Sequence, residues 1–181
     1  MSFALRQTAR LALRSTPIQA RSLSTLSPNL YTASSLVTGS RANGHATTKE
    51  GNVELKMQMP KQMGGTDHKK GVSDPEQLFG IAYSTCFLSA LNAVHSAQNP
   101  SLKALSKDAG VRTEVSVGKD ASGALEGFLL AIRLEILTPP LRAAGLDDAG
   151  IQKLVEAAHD MCPYSRAIKG NVEVEIALVE A

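Results

Sequence analysis

The chain of 181 residues has no tryptophan, four phenylalanines and three tyrosines, so its core must be built chiefly from Leu, Val, Ile, Ala and Met. Cysteine is almost as scarce, with Cys86 and Cys162 alone. Two are too few for the stapled scaffold of a small secreted protein. They are also too few for a Cys-rich zinc site, and His45, His68 and His95 are scattered away from them. The chain lacks a phosphate-cradling loop, because Gly64-Gly65 is not followed by Lys-Ser or Lys-Thr. It lacks an uninterrupted apolar run of the roughly 18 residues that a membrane-spanning helix needs, which predicts a soluble mature protein with no membrane span. Acidic residues are missing from the whole first quarter, the first being Glu50.

That last absence gives the N-terminus its character. Arg6, Arg10, Arg14 and Arg21 stand among Ser and Thr, and wound as a helix the first three form one basic stripe opposite Ala4, Leu5, Leu11 and Ala12. This is the composition of a mitochondrial transit peptide, predicted over residues 1–23 with Arg21-Ser22-Leu23-Ser24 as the processing site and the matrix as destination. The arginines are spaced along a helix with no interleaved aromatics, so a nucleic-acid-binding arm is not indicated. Removing the leader deletes four Arg and no acid, taking the net charge from +2 to about −2. Residues 24–29 read as a linker and 30–181 as one domain.

Within that domain, residues 30–37 read as a strand and Thr38 to Gly44 as a turn displaying Arg41. Val53, Leu55, Met57 and Met59 alternate with polar residues, the period of a sheet with one wet face, until Pro60 stops the strand. A helix opens with Asp74 as cap, Pro75 in the first position and Gln77 three after the cap. From Leu78 to Val94 it is apolar nearly all round, which predicts a central buried element. Val111 to Val117 and Phe128 to Ile136 alternate as an antiparallel hairpin. Asp147 or Asp148 opens a second helix whose Ile151, Leu154, Val155, Ala158 and Cys162 form one stripe. A short turn from Pro163 to Ile168 leads to a last strand with Val172, Val174, Ile176 and Leu178 inward. The order predicts an α+β fold, an antiparallel sheet packed on helices. One small sheet cannot cover the first helix on every side, which predicts a homodimer.

The chemistry must come from the sulfurs. A thiol in an apolar helix has its pKa raised by desolvation, so Cys86 alone would be inert and packs as a small hydrophobe in the simplest reading. To act as a nucleophile it needs a fixed cation, and Arg41 in its turn is a candidate, with Glu76 able to hold the guanidinium in a carboxylate fork. Cys162 carries the same two readings, with Pro163 disfavouring continued helix and able to expose its sulfur at a break. His159 and Cys162 at i, i+3 also raise a Cys-His nucleophilic dyad, although His159 is more simply a helix-face residue near a C-terminus.

The run Asp74-Pro75-Glu76-Gln77-Leu78-Phe79, then Tyr83-Ser84-Thr85-Cys86-Phe87, then Glu156-Ala157-Ala158-His159 with Cys162-Pro163-Tyr164-Ser165 and Gly170-Asn171-Val172, resembles the organic hydroperoxide resistance proteins of the OsmC-like superfamily. The resemblance covers roughly residues 30–180, and Cys-Pro-Tyr-Ser points to the organic hydroperoxide branch. Departures are Asp74 where Asn is common, Ser40 where Gly often precedes the Arg, and the Arg-rich leader. The resemblance implies an intertwined homodimer and a thiol peroxidase for organic and lipid hydroperoxides, with Cys86 peroxidatic, Cys162 resolving, and Arg41 with Glu76 activating Cys86. It implies no metal or cofactor, and re-reduction by dihydrolipoamide or a lipoylated protein. Phe79, Tyr83 and Phe87 are the apolar residues expected near the thiol for binding the alkyl group, with plain core packing as the other reading of all three and the preferred one for Phe87; a non-catalytic binding protein on the same scaffold is the alternative function. Along a continuous helix Glu76 lies ten residues, about 15 Å, from Cys86, which suggests that Arg41 and Glu76 serve the Cys86 of a partner subunit.

Overall fold

The computed structural model describes residues 26–67 and 69–180, so the predicted leader and His68 lie outside the described residues. Residues before Ser35 form a unit apart from Ser35–Ala181. Those described in the first unit contain no helix or strand, so the strand expected from Leu30 begins only at Ser35.

The second unit is α+β. Strands β1 (Ser35–Thr38), β2 (His45–Thr48), β3 (Glu54–Met57) and β4 (Val72–Ser73) form one sheet in that order. Helix α1 (Pro75–Gln98) follows, then β5 (Val111–Gly118) and β6 (Leu129–Leu137), helices α2 (Pro139–Ala143), α3 (Asp148–Met161) and α4 (Pro163–Ile168), and strand β7 (Glu173–Val179). The second sheet has the order β5-β6-β7.

Three of the five strand pairings are antiparallel as expected, and two are parallel: β3 with β4, and β6 with β7. The parallel pairs follow from connectivity. The return from β6 to β7 runs through three helices, the long crossover that parallel strands require. In β6 the alternation buries Ile132, Leu134 and Ile136 in one core cluster with residues of α1 and α3. Two residues counted inward lie outside: Phe128 precedes the strand and is exposed, and Leu178 is exposed near the end of β7.

α1 starts as its sequence dictates. Asp74 has extended backbone, its Oδ1 accepts the amide of Gln77 at 2.8 Å, and Pro75 occupies the first turn. Its length and mean hydropathy alone would suffice for a membrane span, although its apolar residues are interrupted by Ser84, Thr85, Ser89 and Asn92. Burial of Tyr83, Phe87, Leu91 and Val94 in the core, against β5 and α3, marks it instead as the central helix of the fold. It is not buried all round. Ile81, Thr85 and Ser89 are exposed along one stripe, and the Thr85 and Ser89 hydroxyls donate to carbonyls four residues back, at 2.9 and 2.8 Å.

α3 is capped by Asp147, whose Oδ1 accepts the Gly150 amide at 2.8 Å. Its stripe Ile151, Leu154, Val155, Ala158 and Cys162 is buried throughout, as the spacing predicts. The chain breaks at Cys162, which ends α3 and caps α4 with extended backbone (φ −62°, ψ 121°). The segment read as a turn after Pro163 is thus a short helix. Proline fits its first position because no amide is needed there.

Candidate active site

Two helices bring the sulfurs together. Cys86 lies midway along α1, Cys162 at the junction of α3 and α4, and Cys162 Sγ donates to Cys86 Sγ at 3.5 Å. Both are free thiols; Cys162 is fully buried and Cys86 partly so. Burial pushes the Cys86 thiol above its ordinary value, the adjacent Cys162 adds to the rise, and the backbone N–H of Tyr164 acts in the opposite direction by donating to the sulfur. That amide is available because Tyr164 is in the first turn of α4, where N–H groups have no partner within the helix.

The cation is held a little way off. Arg41 stands in the β1–β2 turn, which is tightened by the Ser40 hydroxyl donating to Asn43 Oδ1 at 2.7 Å and tied to β3 by the Met57 amide donating to Gly44 O at 2.7 Å. Gly44 must be glycine for this turn to close, since a Cβ there would come within 2.6 Å of the Ser40 carbonyl oxygen. From the turn Arg41 grips Glu76 in a fork, with N–H···O distances of 2.5 and 2.9 Å. The bonded guanidinium holds the Glu76 carboxyl below its usual range, and the carboxylate in turn raises Arg41. The partner foreseen for Arg41 is the one it has.

A pocket of about 480 Å³ opens beside this ion pair, walled by Val37, Arg41, Ala46, Met57, Leu78, Phe79, Ala82 and Tyr164. Its lining is apolar apart from Arg41, Ser40 and the Tyr164 hydroxyl. Phe79, Ala82 and Cys86 share one face of α1 at i, i+3 and i+7, so residue 86 stands about one turn, a rise of about 6 Å, beyond Ala82. Tyr164 belongs to both regions, its ring lining the pocket and its amide reaching Cys86. The ion pair, pocket and sulfurs are therefore gathered around one chain's α1. The pocket's lining on α1 ends at Ala82, so about one turn of the 15 Å rise between Glu76 and Cys86 lies beyond it.

Of the three aromatics expected around the substrate, Phe79 lines the pocket. Tyr83 and Phe87 do not: both are wholly buried in the core. Tyr83 turns inward, its hydroxyl on Ser165 Oγ at 2.9 Å and its ring stacked on Tyr164 at 6.1 Å. Phe87 packs between Tyr83 and His159. Residue type could not separate these roles, because all three lie on an apolar helix and only the neighbouring elements decide which face is core. Tyr164 carried a signal that went unused: it follows the proline of a helix start, where a free amide is expected.

The Cys162-His159 dyad is not formed. The Cys162 thiol is engaged by Cys86, while the His159 ring rests on Phe87 and lines a separate cleft with Val155 and Ile176. Among the described residues no group of three or more His, Cys, Asp and Glu is placed to hold a metal ion.

Fold and site together define an α+β protein with two free thiols 3.5 Å apart, one midway along a helix and one at a helix break. Residues 67–177 match the family model of OsmC-like proteins. The chain is 35% identical over 149 residues to the organic hydroperoxide resistance protein of Xanthomonas axonopodis pv. citri, covering 82% of this chain and 94% of the relative. It is 37% identical over 151 residues to the organic hydroperoxide resistance protein OhrB of Bacillus subtilis, covering 82% and 98%. Among solved structures it is similar to an organic hydroperoxide resistance protein of Legionella pneumophila, with TM-score 0.67 and 36% identity over 83% of this chain and 98% of that one. The OhrB crystal structure gives TM-score 0.62 and 33% identity over 83% and 100%. The chain belongs to the OsmC-like family, within its organic hydroperoxide resistance branch.

Proposed function

We propose that this chain is a cysteine-based peroxidase that reduces organic hydroperoxides, both alkyl and lipid-derived, to alcohols. The observation that carries the reading is the 3.5 Å approach of Cys162 Sγ to Cys86 Sγ next to an apolar pocket with one ion pair at its side. The Cys86 thiolate attacks one peroxide oxygen, the O–O bond breaks, and the alkoxide leaves as alcohol after taking a proton. The Cys86 sulfenic acid then condenses with the Cys162 thiol, giving a disulfide and water. A dithiol of the lipoyl type returns both sulfurs to thiols and becomes a disulfide itself. In the resting arrangement the half-buried Cys86 is disfavoured as thiolate while Arg41 is engaged by Glu76. Activation thus consists of bringing the guanidinium along the pocket toward the sulfur, where its charge favours the ionised form.

The apolar walls favour an alkyl group over a small hydrated peroxide. The exposed stripe of α1 borders an open cleft of about 910 Å³ with Met63, Val115 and Val117, which supports pairing with a second copy of the chain. The Arg-rich leader supports import into the mitochondrial matrix. Turnover with dihydrolipoamide tests the whole reading. Cumene hydroperoxide should be consumed about tenfold or more faster than hydrogen peroxide. Cys86→Ser should abolish turnover and Cys162→Ser should stop it after one equivalent. An active Cys86→Ser protein overturns the assignment.

One observation favours a non-catalytic binding protein on the same scaffold: the elevated Cys86 thiol, which Arg41 is not among the groups to shift. In that case neither sulfur reacts with stoichiometric peroxide.

A further inference from the structure

Two bonds run side by side between α1 and the start of α4. Tyr83 and Cys86 stand at i, i+3 on α1, and Cys162 and Ser165 at i, i+3 across the helix break. Tyr83 Oη lies 2.9 Å from Ser165 Oγ, and Cys86 Sγ lies 3.5 Å from Cys162 Sγ. Residues three apart on a helix are neighbours on one face. The hydroxyl bridge is therefore a second rung one turn from the sulfur rung. Tyr83 and Ser165 are buried to within 1%, so neither hydroxyl can exchange its partner for bulk water.

The segment this rung fixes is short, and the rung acts beside the packing of Tyr164 on Phe79 and Tyr83 and of Ile168 on the core. α4 has six residues, and Cys162 is an extended break between helices rather than part of either. Its amide is held by Ala158 O at 2.8 Å, and its carbonyl accepts from the Arg166 amide at 3.0 Å. A disulfide requires the sulfurs to close from 3.5 Å to about 2.05 Å, with a Cβ–S–S–Cβ torsion near a right angle. Torsion at Cys162 sets whether its sulfur meets that approach. Pinning Ser165 to α1 holds the first turn of α4, and with it Cys162, in register with Cys86.

We propose that the Tyr83–Ser165 hydrogen bond positions Cys162 for disulfide closure with Cys86. Tyr83 and Ser165 are positioning residues: they touch neither the peroxide pocket nor the transferred oxygen. The inference rests on the peroxidase reading for its biological meaning. The closure itself is a property of the two thiols and can be measured with or without peroxide. In the peroxide route, the Cys86 sulfenic acid loses its hydroxyl, which leaves as water with the Cys162 proton while the S–S bond forms.

The test uses Tyr83→Phe, Ser165→Ala and the double variant in the full chain. Each single change leaves one buried hydroxyl without its partner, whereas the double change removes both and should restore thermal stability. Reduced protein is treated with cumene hydroperoxide, and the products are separated by mass into sulfenic acid trapped by dimedone, sulfinic acid and disulfide. All three variants should shift from disulfide toward trapped sulfenic acid and sulfinic acid. Their closure should be slower by about tenfold, the factor in rate that one ordinary hydrogen bond is worth. The double variant should stay slow although its melting temperature recovers. If it closes as fast as the unaltered protein, the bridge is structural only and the inference is overturned, as it is if every variant partitions like the unaltered chain. Diamide, which accepts the two electrons and two protons of a dithiol, separates the inference from the function. A chain inert to peroxide but closing slowly in the variants with diamide sinks the peroxidase and leaves the positioning role standing. Equal diamide rates sink the positioning role.

Discussion

The fork between Arg41 and Glu76 permits a quantitative prediction, because it joins the β1–β2 turn to the first turn of α1 through one pair of side chains. A double-mutant cycle of Arg41→Ala, Glu76→Ala and the double variant isolates their coupling. The side chains are 31% and 14% exposed, between a solvated pair and a buried one. Exposed pairs couple by about 0.2–1 kcal/mol, and breaking a buried pair costs about 3–5 kcal/mol. Two charge-assisted bonds in this half-buried setting should couple by about 1–2 kcal/mol in urea unfolding at neutral pH. The sign of the pH dependence follows from Glu76, whose carboxyl Arg41 holds below the ordinary 4.5. The contribution is fully present above 4.5 and is lost as the pH falls through the lowered value. A coupling within about 0.3 kcal/mol of zero at neutral pH, below the error of such cycles, would refute the reasoning. So would a coupling that persists undiminished well below the carboxylate range.

Two further outcomes follow from local geometry. Gly44→Ala should destabilise the fold by about 1–3 kcal/mol and lower peroxidase activity, since its Cβ meets the Ser40 carbonyl at 2.6 Å in the turn that carries Arg41; urea unfolding and turnover check both. Burial holds the His159 imidazole below its ordinary 6.5, against Asp160 and together with Lys169, so the folded chain should lose stability as the pH falls from 6.5 toward the lowered value. His159→Gln should lose less over that interval in thermal melts, and an unchanged pH dependence counts against the burial argument.

Much of the fold was legible because local chemistry and tertiary structure agree. Asp74 and Pro75 open α1, and the α3 stripe carries Cys162 into the core, as cap and period dictate. The β5–β6 hairpin follows from alternation. What stayed hidden is non-local. β2 is the segment His45-Ala46-Thr47-Thr48, too polar and short to alternate visibly, and β4 has two residues. Their pairing comes from neighbours, as do the two parallel contacts. In the site, the need of a guanidinium for a carboxylate pointed to Glu76, and the helix rise separated that pair from Cys86. The inward turn of Tyr83 was not legible, because its partner Ser165 lies 82 residues away. A tyrosine on an apolar helix face can equally line a pocket or anchor a core.

The central claim is that Cys86 and Cys162 are working partners. Mass measurement of the reduced chain after one equivalent of cumene hydroperoxide tests it most directly. The account predicts loss of two hydrogens per chain and a peptide pair joined through Cys86 and Cys162, reversed by dihydrolipoamide. An unchanged mass with all the peroxide remaining contradicts it.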